Sequence, residues 1–460
     1  MTISDDLLVS APPPSDSPAV VLVEAPGVQE RAPGPSIVST VQVEQRDDRT
    51  EQGPARYRDV FAVREYRGMF TAELFSLLGD QVAAVAVAVL LYERSGSPLL
   101  AALGYATAFV PWAVGGPLLS VLADRLPARR VMIGADLARA ALIGVAAVPG
   151  LPLPVVGLLV LVAAFLAPPF DAAVSSTLPK VLDGERYPLA ISIRSTVTQF
   201  SMLAGFAGGG ILVAAITPSG ALALDALTFA LSALLLSARL RPRPAAMAEV
   251  PSTGLLGDAV AGLRVVAADR RRFGPLLLGL AGAAYIVVPE GIATAYAHTL
   301  GYGAAAVGLL MAAVATGHVV GSVAVGRVMT DRQRRAVMWP MALLGTVPLV
   351  GCAAQPGLAV TCVLFALAGV FSSFQVSANT AFALAVPSEA RGRAFGLAMT
   401  GMYGVQTVAV VLGGAAATVW PASSVVAGVA LVSAVLIVLL RPLLLPAPRG
   451  HHRVRRIELA

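Results

Sequence analysis

The chain has 460 residues, of which 57% are hydrophobic and 13% are charged, with a net charge of +6 and a mean hydropathy of +0.77. Soluble domains average about half apolar and a quarter charged residues, so this composition excludes an ordinary soluble enzyme. The apolar runs do not alternate with polar residues, which disfavours a transmembrane β-barrel. Cys352 and Cys362 both lie in apolar stretches, which indicates neither a disulfide framework nor a zinc site.

Residues 1–60 form the first region, and their many prolines interrupt any periodic pattern. A segment of this kind buries too little apolar surface to offset its ordering entropy, so we expect a disordered cytoplasmic tail. A docking or regulatory role stays open as the alternative to a plain solvated segment.

Apolar runs of membrane-spanning length follow this tail. About 20 apolar residues cross the hydrocarbon core of a bilayer, and twelve runs approach or exceed this length. They lie at 70–92, 98–122, 131–149, 153–174, 190–215, 219–238, 273–297, 304–328, 336–353, 357–384, 394–417 and 422–440. The sequence therefore predicts an all-α membrane protein with twelve transmembrane helices in two groups of six, at 61–238 and 273–440.

A charged segment at 239–272 separates the two groups and carries seven arginines. Within it, apolar residues recur at helical spacing from Ser252 to Ala268. This pattern predicts an amphipathic helix that lies along the inner membrane surface. Residues 441–460 form a basic tail, which we also expect in the cytoplasm.

The basic residues predict the orientation, because cytoplasmic loops carry an excess of Lys and Arg. With the N-terminus inside, 30 of the 33 Lys and Arg residues lie in the tails and inner loops. Arg94 alone lies in an outer loop, and Arg139 and Arg194 lie within spans. We therefore expect a multi-pass protein of the cell membrane with both termini in the cytoplasm.

A charged motif occupies the loop after the second span, which reads LADRLPARRVM. It resembles the loop between helices two and three of the major facilitator superfamily, although Ser120 stands where that family usually has glycine. The matching residues are Asp124, Arg125, Arg129 and Arg130. A weaker copy at 326–335 follows the eighth span, as two pseudo-symmetric six-helix halves would produce.

In that family the loop aspartate lies near the N-terminus of helix eleven and helps to hold the transporter closed on the inside. The resemblance implies this gating role for Asp124, with Arg393 adding positive charge at the helix terminus. A helix N-terminus carries roughly half a positive charge, which would attract the carboxylate. The alternative for the basic residues is that they only set the topology.

The fifth span is rich in glycine and contains Gly205, Gly208, Gly209 and Gly210. It resembles the glycine-rich motif of the family's antiporters, although Phe206 occupies the position of the motif's proline. Small residues let membrane helices approach closely. Helix packing is therefore the alternative to a specific antiport signature.

Ionisable side chains within spans are costly, so they point to a pathway or a coupling role. The candidates for proton coupling are Asp80, Glu290, Asp136, Arg139 and Asp225. Asp136 and Arg139 share one helical face, so they either pair or face a common partner. Asp80 and Glu290, one in each half, are the preferred coupling acids, and a structural ion pair or hydrogen bond is the alternative.

Three further charged residues, Glu73, Asp171 and Arg194, lie near the ends of spans. An interfacial position accounts for each of them. The Gly79–Asp80 pair in the first span and the Asp136–Arg139 pattern in the third resemble the drug-efflux branch of the superfamily, which includes macrolide and siderophore exporters.

The resemblance implies a secondary active transporter that exports a lipophilic small molecule by proton antiport with alternating access. No phosphate-binding loop pattern is present, so ATP-driven transport by this chain alone is disfavoured. The sequence shows no His-rich or Asp-rich metal constellation and no Ser/His/Asp arrangement at the span ends, which disfavours an enzyme. The expected partners are a small-molecule substrate, protons and the lipid bilayer, with no cofactor, metal or nucleic acid, and the protein is expected to be a monomer. A proton-coupled importer and a non-transporting receptor or scaffold remain the alternatives.

Overall fold

A computed structural model of the chain describes residues 56–115, 126–244 and 255–444, and the described residues form helices joined by short connections. The helices of the first half, in chain order from α1 to α7, are Tyr57–Phe61, Arg64–Ser95, Pro98–Ala106, Ala128–Ala146, Leu153–Ala164, Ala167–Val181 and Arg186–Arg239. A single π-helical turn, Pro111–Gly115, follows α3.

The helices of the second half continue the numbering from α8 to α17. They are Leu255–Ala267, Arg270–Gly291, Ala293–Thr299, Ala304–Val328, Asp331–Leu344, Thr346–Val350, Leu358–Ser372, Phe374–Ala385, Arg391–Ala416 and Ala422–Leu444. Short 3₁₀ turns occupy Gly351–Ala354 and Ser388–Ala390.

Helix α7 is a pair of antiparallel arms rather than one rod. Its 54 residues would extend about 81 Å as a straight helix, far more than a bilayer. The backbone breaks at Thr217, where φ is +73°, and Pro218 opens the second arm, where a missing N–H costs nothing. The break lies between the predicted spans 190–215 and 219–238, and both arms return to pack on α2.

Within the described ranges, nine helical stretches are long and apolar enough to cross a membrane, and α7 counts once among them. The predicted span 131–149 corresponds to α4, which is not among these nine stretches because it carries too many charged residues. The predicted span 98–122 begins as α3, and its last residues lie outside the described part of the chain. The all-α membrane fold is confirmed, whereas the count of twelve stays a prediction.

The predicted amphipathic helix is present as α8 and packs on the second half. Val266 is fully buried against Phe382, Val386 and Ala394. Val260 and Leu263, three residues apart, remain about half exposed, which leaves an apolar face for the predicted membrane surface.

Arg272 fastens the C-terminal end of α8 to the bundle. Its guanidinium donates to the carbonyl oxygen of Val265 at 2.9 Å and to that of Ala385 at 2.8 Å. Carbonyl groups at a helix C-terminus lack partners within the helix. Arginine therefore joins two helix ends at once.

The two halves meet at one end of the bundle, which we call the arginine-poor end and which contains Gly96, Thr217 and Gly301. There α7 and α11 cross in backbone contact, because a Cβ on Gly308 would lie 2.6 Å from the Cα of Gly210. The arginine-rich end, which contains Arg129, Arg239 and Arg334, lies at the opposite ends of the same helices.

Candidate functional site

An ion pair between two helices forms the centre of the candidate site. Arg139 of α4 is 4% exposed, and its Nη2 lies 2.5 Å from Oδ1 of Asp80 on α2. The same guanidinium lies 4.0 Å above the ring of Phe229 and donates a long hydrogen bond to Ser76. Asp80 remains one-third exposed, towards a cavity.

Two more carboxyl groups surround this pair. Asp136 is fully buried and accepts a hydrogen bond from the Ser232 hydroxyl at 2.5 Å. Asp225 is 1% exposed, and the Thr228 hydroxyl lies 3.3 Å from its Oδ1. Arg139 interacts electrostatically with Asp80, Asp136 and Asp225, so three acidic groups share one cation.

Gly79 makes this arrangement sterically feasible. A Cβ at this position would collide with the carboxylate of Asp225 and the hydroxyl of Thr228. The absence of a side chain lets the second arm of α7 approach α2 beside Asp80. The Gly79–Asp80 pair therefore has a packing reason as well as a chemical one.

The cavity beside the ion pair has a volume of about 330 Å³. Its polar wall contains Asp80, Arg139 and Asp225, and its remaining wall is rich in aromatic rings: Tyr105, Phe109, Phe206, Phe229 and Tyr403. Tyr403 belongs to α16 of the second half, whereas the other lining residues belong to the first half. The cavity thus lies largely inside the first half.

Aromatic stacking connects the two halves across this cavity. The ring of Tyr403 stacks on Phe109 with a centroid distance of 6.3 Å and on Trp112 at 5.8 Å. Aromatic faces offer large apolar contact areas to a ligand at little conformational cost. This wall suits a lipophilic molecule.

Glu290 occupies a separate position at the meeting of the two halves. It follows Pro289 in α9, is 6% exposed, and accepts a hydrogen bond from the Tyr105 hydroxyl at 2.7 Å. In the described residues no cation lies within salt-bridge distance of it. Tyr105 also lines the cavity, so one side chain links Glu290 to the space beside Asp80.

A second ion cluster joins three residues that the sequence placed separately at the interface. Arg194 Nε lies 2.5 Å from Glu73 Oε1, its Nη2 contacts Asp171, and its Nη1 donates to Ser175 at 3.2 Å. The cluster ties α2, α6 and α7 together near the arginine-rich end. The sequence signal for this ion cluster was that two acids and one arginine lie at a similar depth in the predicted spans.

The predicted gating motif is described only in part. Asp124 and Arg125 lie outside the described residues. Arg129 donates to the carbonyl oxygen of Ser237 at 2.7 Å, which joins it to the end of α7. Arg130 and Arg393 are exposed. Because Asp124 lies outside the described residues, its predicted contact with the start of α16 stays a prediction.

The predicted glycines differ in their surroundings. A Cβ would meet the side chain of Gln81 at Gly205, the backbone of Val82 at Gly209 and Gly308 at Gly210. At Gly208 a Cβ would meet nothing within 4 Å. Three of the four positions therefore permit close helix contacts, and Gly208 has no such packing requirement.

Comparisons with known proteins agree with this architecture. The family model described as Major Facilitator Superfamily matches residues 69–290 and 276–459. The chain is 34% identical to Macrolide efflux protein A of Streptococcus pyogenes over 73 residues. That match covers 16% of this chain and spans only 18% of the relative's length.

Solved structures of transporters share the fold at low sequence identity. The nucleoside transporter NupG is 13% identical, with a TM-score of 0.66 over 82% of this chain and 99% of that chain. A peptide transporter, POT, is 14% identical, with a TM-score of 0.63 over 84% and 95% of the two chains. A bacterial homologue of the human lysosomal transporter Spinster, in an inward-facing and occupied conformation, is 12% identical, with a TM-score of 0.60 over 83% and 96%.

Proposed function

Since the chain belongs to the major facilitator superfamily, we propose that it exports a lipophilic small molecule across the cell membrane in exchange for protons. The protein is a multi-pass membrane transporter and not an enzyme. We also propose that both termini lie in the cytoplasm.

The observation that carries the proposal is the excess of acid around Arg139. If Asp80, Asp136 and Asp225 were all ionised, the cluster would hold two uncompensated negative charges. Burying an unpaired charge costs several kcal/mol. Proton uptake relieves this cost, so the cluster supports reversible protonation during transport.

Substrate and protons would compete for the same region. Asp80 faces the cavity and is also the ion-pair partner of Arg139. Loading the aromatic cavity would change the hydration and the charge balance around this pair. Antiport requires such a dependence, because proton release must accompany substrate binding on one side only.

Glu290 would connect protonation to the movement of the halves. Its hydrogen bond to Tyr105 joins the halves at the arginine-poor end, where alternating access requires them to separate. Glu290 and Asp80 are therefore proposed as the coupling acids, with Asp225 and Asp136 completing the charge around Arg139.

One observation favours efflux over import: a segment of 73 residues resembles a protein named for macrolide efflux. The aromatic wall of the cavity supports the lipophilic nature of the substrate. Counterflow measured in everted and right-side-out vesicles distinguishes export from import.

The proposal is tested in everted vesicles that take up a lipophilic antibiotic when a proton gradient is imposed. Asp80→Asn and Glu290→Gln are expected to abolish proton-driven uptake, because neither amide can exchange a proton. Asp183→Asn is the matched control, since its side chain is 94% exposed in a loop, and it should transport normally. Normal coupling in both Asp80→Asn and Glu290→Gln would refute the assignment.

A further inference from the structure

A groove on the first half combines a basic end with an apolar wall. It has a volume of about 530 Å³ and lies between the start of α2 and the end of α7. Arg64, Arg67 and Arg239 line its basic end, and Phe75, Leu231 and Leu235 line its wall. The transport cavity is lined by other residues.

The three arginines are free to bind a ligand. All three are exposed, and within the described ranges none forms an ion pair. The neighbouring acid, Glu65, is already engaged, since it lies 2.6 Å from Arg243 and accepts from the backbone N–H of Arg241 at 2.7 Å. It therefore does not neutralise the basic end of the groove.

Gly68 shapes the groove. The side-chain stem of Arg239 lies directly over this glycine, where a Cβ would come within 3.0 Å of the Arg239 Cγ. The last turn of α7 can therefore lie against the first turns of α2. The three arginines therefore line one groove from two helices.

The apolar wall faces the side of the bundle that lipid covers. Leu227, Leu231 and Leu234 share one helical face and are 65%, 38% and 63% exposed. An exposed apolar face within a membrane span contacts hydrocarbon chains. From Arg64 to Phe75 the helix rises about 16 Å, roughly half of the hydrocarbon core.

We propose that this groove binds one anionic phospholipid. The phosphate and headgroup would lie among Arg64, Arg67 and Arg239, and an acyl chain would follow Phe75 and Leu231 into the membrane. Arginine binds phosphate through paired N–H donors, and basic pockets between transmembrane helices recognise anionic lipids. Under the proposed orientation the groove opens to the cytoplasmic leaflet, whose surface is negative.

The second half lacks this arrangement at the corresponding crossing. There Gly274 of α9 approaches the carbonyl oxygen of Leu443, where a Cβ would lie 2.9 Å away. Phe273 and Leu443 stand where the first half has Arg67 and Arg239, whereas Arg270 is the counterpart of Arg64. The crossing is therefore shared by both halves, but two of the three arginine positions are apolar in the second half.

The test is native mass spectrometry of the full chain titrated with equal amounts of phosphatidylglycerol and phosphatidylcholine that carry identical acyl chains. The wild-type protein is expected to retain one phosphatidylglycerol in preference to phosphatidylcholine. In Arg64→Gln/Arg67→Gln this preference should fall by at least about fivefold, because one arginine near the surface is worth about 1 kcal/mol. Arg239→Gln keeps the side-chain stem over Gly68 and should also lower the preference for phosphatidylglycerol.

The control is Arg270→Gln/Arg271→Gln, which removes the same charge from exposed positions at the start of α9. It should leave the preference unchanged. An equal fall in both double variants, or no fall in Arg64→Gln/Arg67→Gln, would overturn the proposal. Displacement of phosphatidylglycerol by an equal concentration of glycerol phosphate would also overturn it, because the site would then bind a free phosphate rather than a lipid.

Discussion

The two halves of the molecule hold their buried acids in different ways. In the first half, Asp80, Asp136 and Asp225 surround Arg139, and a second arginine, Arg194, binds two more carboxylates. In the second half, Glu290 has a tyrosine hydroxyl from the opposite half as its hydrogen-bond partner.

The two halves therefore stabilise their buried acidic side chains by different interactions. The first half places several charges together, so each depends on the others. The second half places Glu290 where the halves touch, so the hydrogen bond of Glu290 depends on the distance between the halves. The polar contact between His318 and Ser372, at 2.8 Å, is local to the second half and does not bridge the two.

We expect the largest effect from removing the cation that the three acids of the first half share. Arg139→Met leaves three acidic groups without their shared cation, and breaking a buried pair in this way costs about 3–5 kcal/mol. We expect a loss of this size in the free energy of unfolding, measured by titration with a denaturing detergent in mixed micelles.

The matched control is Arg332→Met at an exposed position of the second half, for which the change should stay within about 0.5 kcal/mol. Adding Asp80→Asn to Arg139→Met should recover part of the loss, because it removes one uncompensated charge. If Arg139→Met were as mild as the control, the first half would not depend on its shared cation.

A smaller effect is expected where the halves cross. Gly308→Ala places a methyl group against the backbone of Gly210, and overpacking of this kind costs about 1–3 kcal/mol. The same substitution at Gly208, where there is open space, should be neutral or slightly stabilising. Equal unfolding free energies for the two variants would contradict the close crossing of α7 and α11.

The smallest expected effect concerns Glu290. Tyr105→Phe removes one hydrogen bond and should lower the free energy of unfolding by about 1 kcal/mol. Glu290→Gln keeps an acceptor for the tyrosine hydroxyl, so its stability should change less, although we expect its proton coupling to fail. If Glu290→Gln destabilised the protein more than Tyr105→Phe, a charged interaction of Glu290 would be required.

Hydropathy was sufficient to predict an all-α membrane fold, because the cost of exposing backbone to lipid acts on each segment separately. The break at Thr217 lies between two predicted spans, and α8 lies within the predicted range 252–268. Both features arise from local composition, so one sequence was enough to find them.

Side-chain partners were harder to predict, because they depend on which helices become neighbours. Asp136 and Arg139 were expected to pair or to share a partner. The structure places Asp136 against Ser232 of α7 and Arg139 against Asp80 of α2, while Asp136 and Arg139 still interact electrostatically. Arg194 finds Glu73 across 121 positions of sequence, and no local pattern encodes such a distance.

The anchoring of α8 by Arg272 shortens the tether between the halves. Because α8 rides on the second half, only residues 245–254 separate its first turn from the described end of the first half at Pro244. A chain of eleven steps spans at most about 40 Å. If the halves rock as the proposed alternating access requires, a fluorophore on the exposed face of α8 would report the movement of the second half. Inserting residues into the connection between Pro244 and Leu255 would test whether its length limits that movement.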